Sequence, residues 1–173
     1  MKHTLVALVE NEPGVLNRVV SLFRRRNFNI DSLTVGRTED PNISRMTIVL
    51  DSNVTRAYQV EKNLYKLVNV IKVLDVTEKP FISRDLALVK VSAGGGAEGV
   101  AAQFGARVLD TTDGMTMYEL SAEESHVEAF VDALRPFGIV EVVRTGVVAM
   151  GQGNVVTRVD PETEDALLDT VEG

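Results

Sequence analysis

The order in which hydrophobic periodicity changes along this chain constrains its fold more than any other feature of the sequence. Apolar residues alternate with polar ones in some segments and recur every three to four residues in others, which predicts strand, helix, strand, strand, helix, strand. The predicted segments are a strand at 3–10, a helix at 15–26, strands at 28–37 and 44–50, a helix at 55–68 and a strand at 70–76. A shift of apolar phase between Ile30 and Leu33 predicts a bulge in the second strand.

The same order recurs in weaker form after Lys79-Pro80, which interrupts the pattern. The predicted segments here are a strand at 85–91, a helix at 98–104, a hairpin of strands at 106–109 and 115–120, a helix through 127–134 and a strand at 139–150. Ser121 and Glu124 have the spacing of a capping box before the second of these helices.

Two consecutive βαββαβ units predict an α+β protein of two ferredoxin-like domains. We expect the first domain at residues 1–78, a linker at 79–84, the second domain at 85–150 and an acidic tail at 151–173. The 173-residue chain has a net charge of −7, of which the tail contributes −5. Concentrated charge and few large apolar side chains predict that this tail is disordered.

Composition excludes several classes of protein. The absence of cysteine removes disulfides, thiolate nucleophiles and cysteine-ligated metals. Residues 1–150 have a net charge of only −2, without the concentrated basic face that nucleic-acid binding requires. No apolar run approaches the roughly 20 residues that span a bilayer, and the first ten residues are typical of a strand rather than a targeting signal. We therefore expect a cytoplasmic protein with no membrane or nucleic-acid partner.

The motif Gly94-Gly95-Gly96-Ala97-Glu98-Gly99 matches G-x-G-x-x-G between a predicted strand and a predicted helix. A dinucleotide site also needs a crossover to a second parallel strand and an acidic residue about 20 positions further on. Here the next predicted strand already ends 11 residues after Gly99. We interpret the motif as a loop.

Neither catalytic nor metal-binding residues are predicted. His3 and His126 are the only imidazoles, and they are too far apart in sequence to form a local ligand pair. We expect His126 on the exposed side of its helix and His3 at the start of a strand, both without a functional role. Arg24, Arg25 and Arg26 end the first helix, where cations complement the helix dipole.

The first strand-to-helix turn, residues 10–16, is the remaining candidate for a site. A helix N-terminus presents free N–H groups and the positive end of the helix dipole, and Gly14 lacks the Cβ that would hinder a carboxylate. A Pro-Gly sequence also serves as a simple turn, so the residues alone leave both interpretations open.

The first domain has more apolar strand residues than one layer of helices needs to bury. They are Val6, Leu8, Ile30, Val35, Ile48, Ile71 and Val73. We therefore expect self-association through sheet edges or helices.

The pattern Asn11-x-x-Gly14-x-Leu16, with FNIDSLTV at 28–35 and SRMTI at 44–48, closely resembles the ACT domain of the acetohydroxyacid synthase (acetolactate synthase) small regulatory subunit. Further matches are LYKLV at 64–68, RDLALVK at 84–90 and RTGVV at 144–148. The resemblance spans residues 2–150.

This resemblance implies a non-catalytic regulatory subunit. Such a subunit binds a catalytic large subunit that carries thiamine diphosphate, magnesium and FAD, activates it, and confers feedback inhibition by a branched-chain amino acid, usually valine. No cofactor is then expected on this chain. The resemblance also implies a homodimer formed through the ACT domain, with effector sites at the dimer interface.

Transferred to this sequence, the implied effector site draws on both protomers. One protomer supplies Asn11, Gly14, Val15 and Leu16, and the other supplies Asn29 and Ile30. Amide groups of Gly14 and Val15 would bind the effector carboxylate, side-chain oxygens of the two asparagines its ammonium, and Ile30 its aliphatic side chain. The competing hypotheses are a free-standing amino-acid-sensing ACT protein with another partner, and a small enzyme.

Overall fold

A computed structural model describes residues 1–51 and 54–161 of the chain. The elements are β1 (Lys2–Glu10), α1 (Val15–Arg26), β2 (Ile30–Arg37), β3 (Ile43–Asp51), α2 (Val54–Leu64), β4 (Val70–Asp75), β5 (Phe81–Ser92), α3 (Ala97–Phe104), β6 (Arg107–Thr112), β7 (Met115–Ala122), α4 (Glu124–Leu134) and β8 (Ile139–Gly151). A single 3₁₀ turn, Arg135–Phe137, follows α4. The predicted βαββαβ order is confirmed in both halves of the chain.

The chain divides into two compact units, called here the first and second domains. The first domain consists of residues 1–82 together with the chain from Ala149 onward, and the second consists of residues 83–148. Each of β5 and β8 therefore crosses the boundary. β5 begins at Phe81, inside the predicted linker of residues 79–84.

The first domain contains an antiparallel sheet of strand order β2-β3-β1-β4. Its two helices cover one face because alternate residues of β1 point toward them. The core on this side includes Leu5, Ala7 and Val9 of β1, Val19 and Phe23 of α1, and Val60 and Leu64 of α2. The register shift between Ile30 and Ser32 confirms the predicted bulge in β2.

The second domain repeats this topology with strand order β6-β7-β5-β8. Its core is built from Ala87, Val89 and Val91 of β5, Tyr118 and Leu120 of β7, and Val127, Phe130 and Leu134 of α4. Burial raises the pKa of Tyr118, and the nearby charge of Glu98 raises it further. The strand β7 lies between β5 and β6, so the glycine motif does not join two adjacent parallel strands.

Two predictions about helix ends are wrong. Helix α2 ends at Leu64 rather than at Val68, and a turn leads from it into β4. The predicted capping box does not form, because Ser121 is still part of β7 and the N-cap of α4 is Glu123, which makes no side-chain cap bond. By contrast, α1 ends at Arg26 as predicted, and Asn27 follows it in the left-handed conformation.

The face of the first sheet away from the helices is covered by the chain's own C-terminal segment. Val6 and Leu8 are 0% and 4% exposed, although the helices pack on the opposite face. Val6 packs in a small cluster with Val76 and Ala149, bordered by Phe81. Contacts within the chain thus bury some of the apolar strand residues from which self-association is predicted. Val35, on the edge strand β2, stays 43% exposed.

The predicted tail differs from the structure over its first residues. Residues 152–160 have little regular structure, yet Gln152 N–H donates to the Pro80 carbonyl (2.8 Å) and Asp160 pairs with Lys72 (3.3 Å). Residues 162–173, which the disorder prediction also includes, lie outside the described residues.

Both histidines have more specific surroundings than predicted. His3 is 3% exposed, and its Nδ1 lies 3.9 Å from Asp75 Oδ2 without a hydrogen bond to either ring nitrogen. His126 is exposed, but its ring lies 5.2 Å from that of Phe104 and its Nε2 is 3.2 Å from the Phe104 carbonyl oxygen.

Candidate functional site

The turn between β1 and α1 has the open helix N-terminus that the sequence predicts. Gly14 is the N-cap residue of α1, in the left-handed conformation with φ of +84°, and no side chain caps the helix. A Cβ at this position would have no heavy atom within 4 Å. Glycine is therefore favoured here by backbone conformation rather than by lack of space, and the region beside it is open.

The free amides of this helix differ from those predicted. Val15 N–H already donates to the Glu12 carbonyl at 3.3 Å, whereas Gly14, Leu16 and Asn17 have no backbone acceptor among the described residues. Val15 also directs its side chain into the core, at 4% exposure. The anion-binding groups of the turn are therefore the amides of Gly14, Leu16 and Asn17, in the first turn of a helix whose dipole favours negative charge.

Asn11 is held beside this helix end by the loop between β2 and β3. Its backbone N–H donates to the Asn42 carbonyl at 2.7 Å, and its side-chain Nδ2 donates to the Pro41 carbonyl at 2.9 Å. These two bonds leave the side-chain oxygen as an acceptor at the turn.

A polar network that the sequence analysis does not predict holds the base of the turn in place. Asn69, which is 8% exposed, donates through Nδ2 to the Glu10 carboxylate at 2.8 Å and accepts a bond from the Arg18 guanidinium at 2.5 Å. The Glu10 N–H also donates to the Asn69 carbonyl at 2.9 Å. The network joins the end of β1, the first turns of α1 and the residue before β4. These residues are far apart in sequence, so only the folded structure shows the network.

The two remaining predicted site residues, Asn29 and Ile30, lie at the opposite end of the same sheet. Ile30 pairs with Leu50, which pairs with His3 at the start of β1, whereas Asn11 follows the last residue of that strand. Eight residue steps along β1 separate His3 from Asn11, or about 27 Å. One chain therefore does not bring all six predicted residues together.

Other candidate chemistry finds no support within residues 1–51 and 54–161. No group of three or more His, Asp or Glu side chains there is arranged to hold a metal. In the same part of the chain, no helix is long and apolar enough to cross a membrane. The three consecutive arginines that end α1 are exposed, as their position in the last helical turn predicts.

Comparison with known families covers both domains. Residues 5–72 match the family described as "AHAS small subunit-like ACT domain", and residues 84–153 match "Small subunit of acetolactate synthase". Fold and match together define the first domain as an ACT domain, followed by a second ferredoxin-like domain.

Similar proteins align with this chain over nearly their whole length. The probable acetolactate synthase small subunit of Archaeoglobus fulgidus is 47% identical over 158 residues, which cover 89% of this chain and 99% of that protein. The acetolactate synthase small subunit of Mycobacterium leprae is 46% identical over 87% of this chain and 92% of its own length. The crystal structure of the acetolactate synthase small subunit from Thermotoga maritima superposes with a TM-score of 0.82 at 36% identity, covering 90% of this chain and 99% of that one. The chain belongs to the acetolactate synthase small-subunit family.

Proposed function

We propose that this chain binds and activates a catalytic large subunit of acetolactate synthase and confers feedback inhibition by a branched-chain amino acid, with valine as the first candidate. The observation that carries the proposal is the β1–α1 turn, where unengaged helix amides lie beside Asn11 within the region matched to the ACT family. The catalytic chemistry, with thiamine diphosphate, magnesium and FAD, would then reside in the large subunit.

The turn offers complementary groups for the backbone of an α-amino acid. The effector carboxylate would accept hydrogen bonds from the amides of Gly14, Leu16 and Asn17 at the positive end of the α1 dipole. The ammonium group would donate to the side-chain oxygen of Asn11, because the Nδ2 of that residue is already bonded to the Pro41 carbonyl. Leu16, at 47% exposure, is the apolar side chain of the turn available for contact.

The separation of Asn29 and Ile30 from this turn supports a homodimer formed through the ACT domain. Strand β2 is an edge of the sheet, and its half-buried Leu33 and exposed Val35 leave apolar surface there. If two β2 strands pair antiparallel about a twofold axis, the Ile30 end of one lies beside the Arg37 end of the other. That end is the one from which the β2–β3 loop leads to Asn11, so each effector site would receive residues from both chains.

The decisive experiment is reconstitution of acetolactate synthase activity from the catalytic large subunit with and without this chain. We expect higher activity in the presence of the chain and inhibition when valine is added, whereas the chain alone should show no turnover. Failure to activate, together with purification of a different partner, would favour the alternative of a free-standing ACT sensor.

Effector selectivity gives a second, independent measurement. Valine has two more carbon atoms than alanine, and burying them at about 0.8 kcal/mol each predicts about fifteenfold tighter binding. Calorimetry of the isolated chain with both amino acids measures this ratio. Equal affinities would exclude an apolar pocket for the branched side chain.

A further inference from the structure

The chain that follows β8 crosses the outer face of the first sheet and is fixed there at several points. We call residues 152–160 the C-terminal strap. Just before it, the Arg45 guanidinium donates to the Ala149 carbonyl at 2.7 Å. The strap begins with the bond from Gln152 N–H to the Pro80 carbonyl and ends where Asp160 pairs with Lys72.

The reversal of the chain into the strap is built around one glycine. A Cβ on Gly151 would lie 2.2 Å from the Val155 carbonyl oxygen and 2.6 Å from Val155 Cγ1. These distances are far below van der Waals contact, and the first of them is to a backbone atom. Only glycine allows the chain to turn back here through the bond from Val155 N–H to the Gln152 carbonyl, at 3.1 Å.

The far end of the strap faces the β2–β3 loop, residues 38–42. Arg158 and Val159 line a cavity of about 240 Å³ whose other wall is the segment Thr38–Asp40. The floor of this cavity is apolar and consists of Leu8 and Ile43, which are 4% and 6% exposed. The strap and the loop thus line one cavity together with two buried apolar residues of the first sheet.

The same loop holds Asn11 on its other side. Pro41 and Asn42 accept the two hydrogen bonds that position Asn11 at the start of the β1–α1 turn. One short loop therefore shares a cavity with the strap and holds, through two hydrogen bonds, the residue assigned to the effector ammonium. Both family matches end at or before residue 153, so nearly all of the strap lies outside the matched region.

We propose that the C-terminal strap is a regulatory element that orders the β2–β3 loop and thereby sets the affinity of the effector turn. The inference rests on the proposed function, because effector binding is what depends on the position of the loop. A loop that is already ordered loses less conformational entropy when the effector binds. Removal of the strap should therefore weaken effector binding.

Two truncations separate the strap from the residues beyond it. A chain ending at Gly151 lacks the strap, and a chain ending at Pro161 keeps it while losing the remaining acidic residues. Hydrogen exchange of peptides covering residues 36–44 should be faster in the chain ending at Gly151 than in the chain ending at Pro161. In the reconstituted holoenzyme, the shorter chain should require at least about fivefold more valine for half-inhibition, the lower end of common allosteric couplings.

A substitution in the full-length chain keeps the test independent of truncation. Gly151→Ala should displace the strap and shift loop exchange and valine sensitivity in the same direction. Gly99→Ala is the matched control, because Gly99 is in α3 and a Cβ there has no heavy atom within 4 Å. The control should leave both measurements unchanged.

The outcomes distinguish the two proposals. Unchanged loop exchange in both strap variants would overturn the ordering role, and faster exchange with unchanged valine sensitivity would overturn the coupling. If the wild-type chain activates the large subunit but neither valine, leucine nor isoleucine inhibits, the effector function fails and the coupling fails with it. The exchange measurement alone would then still decide whether the strap orders the loop.

Discussion

In the first domain, Val6 and Leu8 point away from the helices, and the corresponding residues of the second domain are Leu88 and Lys90. The correspondence follows from the helix caps, because β1 and β5 each end four residues before an N-cap glycine, Gly14 or Gly96. Both residues of the first domain are buried, whereas Leu88 is half-buried and the Lys90 side chain is 36% exposed. The same topology therefore accommodates a covered outer face in one domain and a partly solvated one in the other.

The two strand-to-helix turns share a backbone conformation and differ in their side chains. Gly14 and Gly96 both have φ of +84°, and neither helix has a side-chain cap. The position of Asn11 is occupied in the second domain by Ala93, which has no polar side chain. An open helix N-terminus is thus a property of the fold, and selectivity for an amino acid has to come from side chains.

A third pair of corresponding positions is His3 and Asp85, which are both buried. Asp85 is 1% exposed and accepts hydrogen bonds from the Arg144 guanidinium, one of them from Nε at 2.8 Å. His3 has no such partner. One domain thus holds a buried carboxylate paired with an arginine at a site where the other holds an imidazole that makes no hydrogen bond and lies 3.9 Å from the Asp75 carboxylate. This difference permits a direct test.

The largest predicted effect is on this pair. Arg144→Leu should destabilise the second domain by about 3 kcal/mol, because it leaves a buried carboxylate without its countercharge. His3→Leu should change the stability of the first domain by less than about 1 kcal/mol, since the ring nitrogens that it removes have no hydrogen-bond partners. Urea unfolding of the full chain measures both values. Equal losses would show that His3 has a stabilising role that its contacts do not reveal.

The next largest effect concerns the two glycine caps. Gly14→Asp places a carboxylate where the effector carboxylate would bind, and two such charges 4 Å apart repel by about 4 kcal/mol at an effective dielectric near 20. Exposure and salt reduce this to about 2 to 3 kcal/mol, which predicts a thirtyfold to more than hundredfold weaker response to valine with activation retained.

Gly96→Asp is the control for this variant. Both substitutions impose the same left-handed strain of about 1 kcal/mol, and neither new Cβ meets another atom. Only the variant in the first domain should alter valine inhibition of the reconstituted enzyme. A comparable change from Gly96→Asp would place effector recognition in the second domain as well.

The contrast between the outer faces predicts a smaller effect. Leu8→Ala should destabilise the first domain by about 2 kcal/mol, because it removes buried apolar volume beneath the strap. Lys90→Ala at the corresponding position should cost less than about 1 kcal/mol, since its 4.0 Å pairing with Glu141 is exposed to solvent. Chemical denaturation of the two variants measures both free energies of unfolding. If Leu8→Ala lowers the free energy of unfolding no more than Lys90→Ala does, the strap does not cover this face in solution.

The smallest effect is expected at Glu61 in α2. Burial raises the pKa of this carboxyl, and the charge of Asp75 raises it further. The corresponding residue of α4, three positions before its end, is the core residue Val131. Because the folded state holds the Glu61 proton more tightly than the unfolded state, this group favours folding at low pH, and that contribution is lost as pH rises through the raised pKa.

Glu61→Gln should therefore stabilise the first domain by a few tenths of a kcal/mol at pH 7, with solvent screening keeping the gain small. Below about pH 4, where the unfolded carboxyl is also protonated, the difference should vanish. Thermal unfolding at several pH values measures it. A gain that is constant with pH would assign the effect to packing rather than to charge.

Local patterns in the sequence determined most of the architecture. Period-two and period-3.6 spacing predicts the order of elements in both domains, because side-chain direction alternates along a strand and rotates around a helix wherever one face is buried. The bulge in β2, the end of α1 at Arg26 and the open helix N-terminus at Gly14 follow from the same short-range information. The capping box at Ser121 is the exception, because pairing with β5 extends β7 through that residue.

Contacts between residues far apart in sequence decided the rest. The bond from Asn69 to Glu10 joins segments about 60 positions apart, and the cavity lined by Leu8 and Arg158 joins segments 150 positions apart. No periodicity encodes such pairs. Charge and low apolar content predict disorder from residue 151, yet Gln152 bonds to Pro80, Asp160 pairs with Lys72, and Gly151 allows the reversal of the chain that makes these contacts possible. Composition predicts whether a segment is ordered on its own in solvent. The sheet surface on which the segment packs forms only when the chain folds.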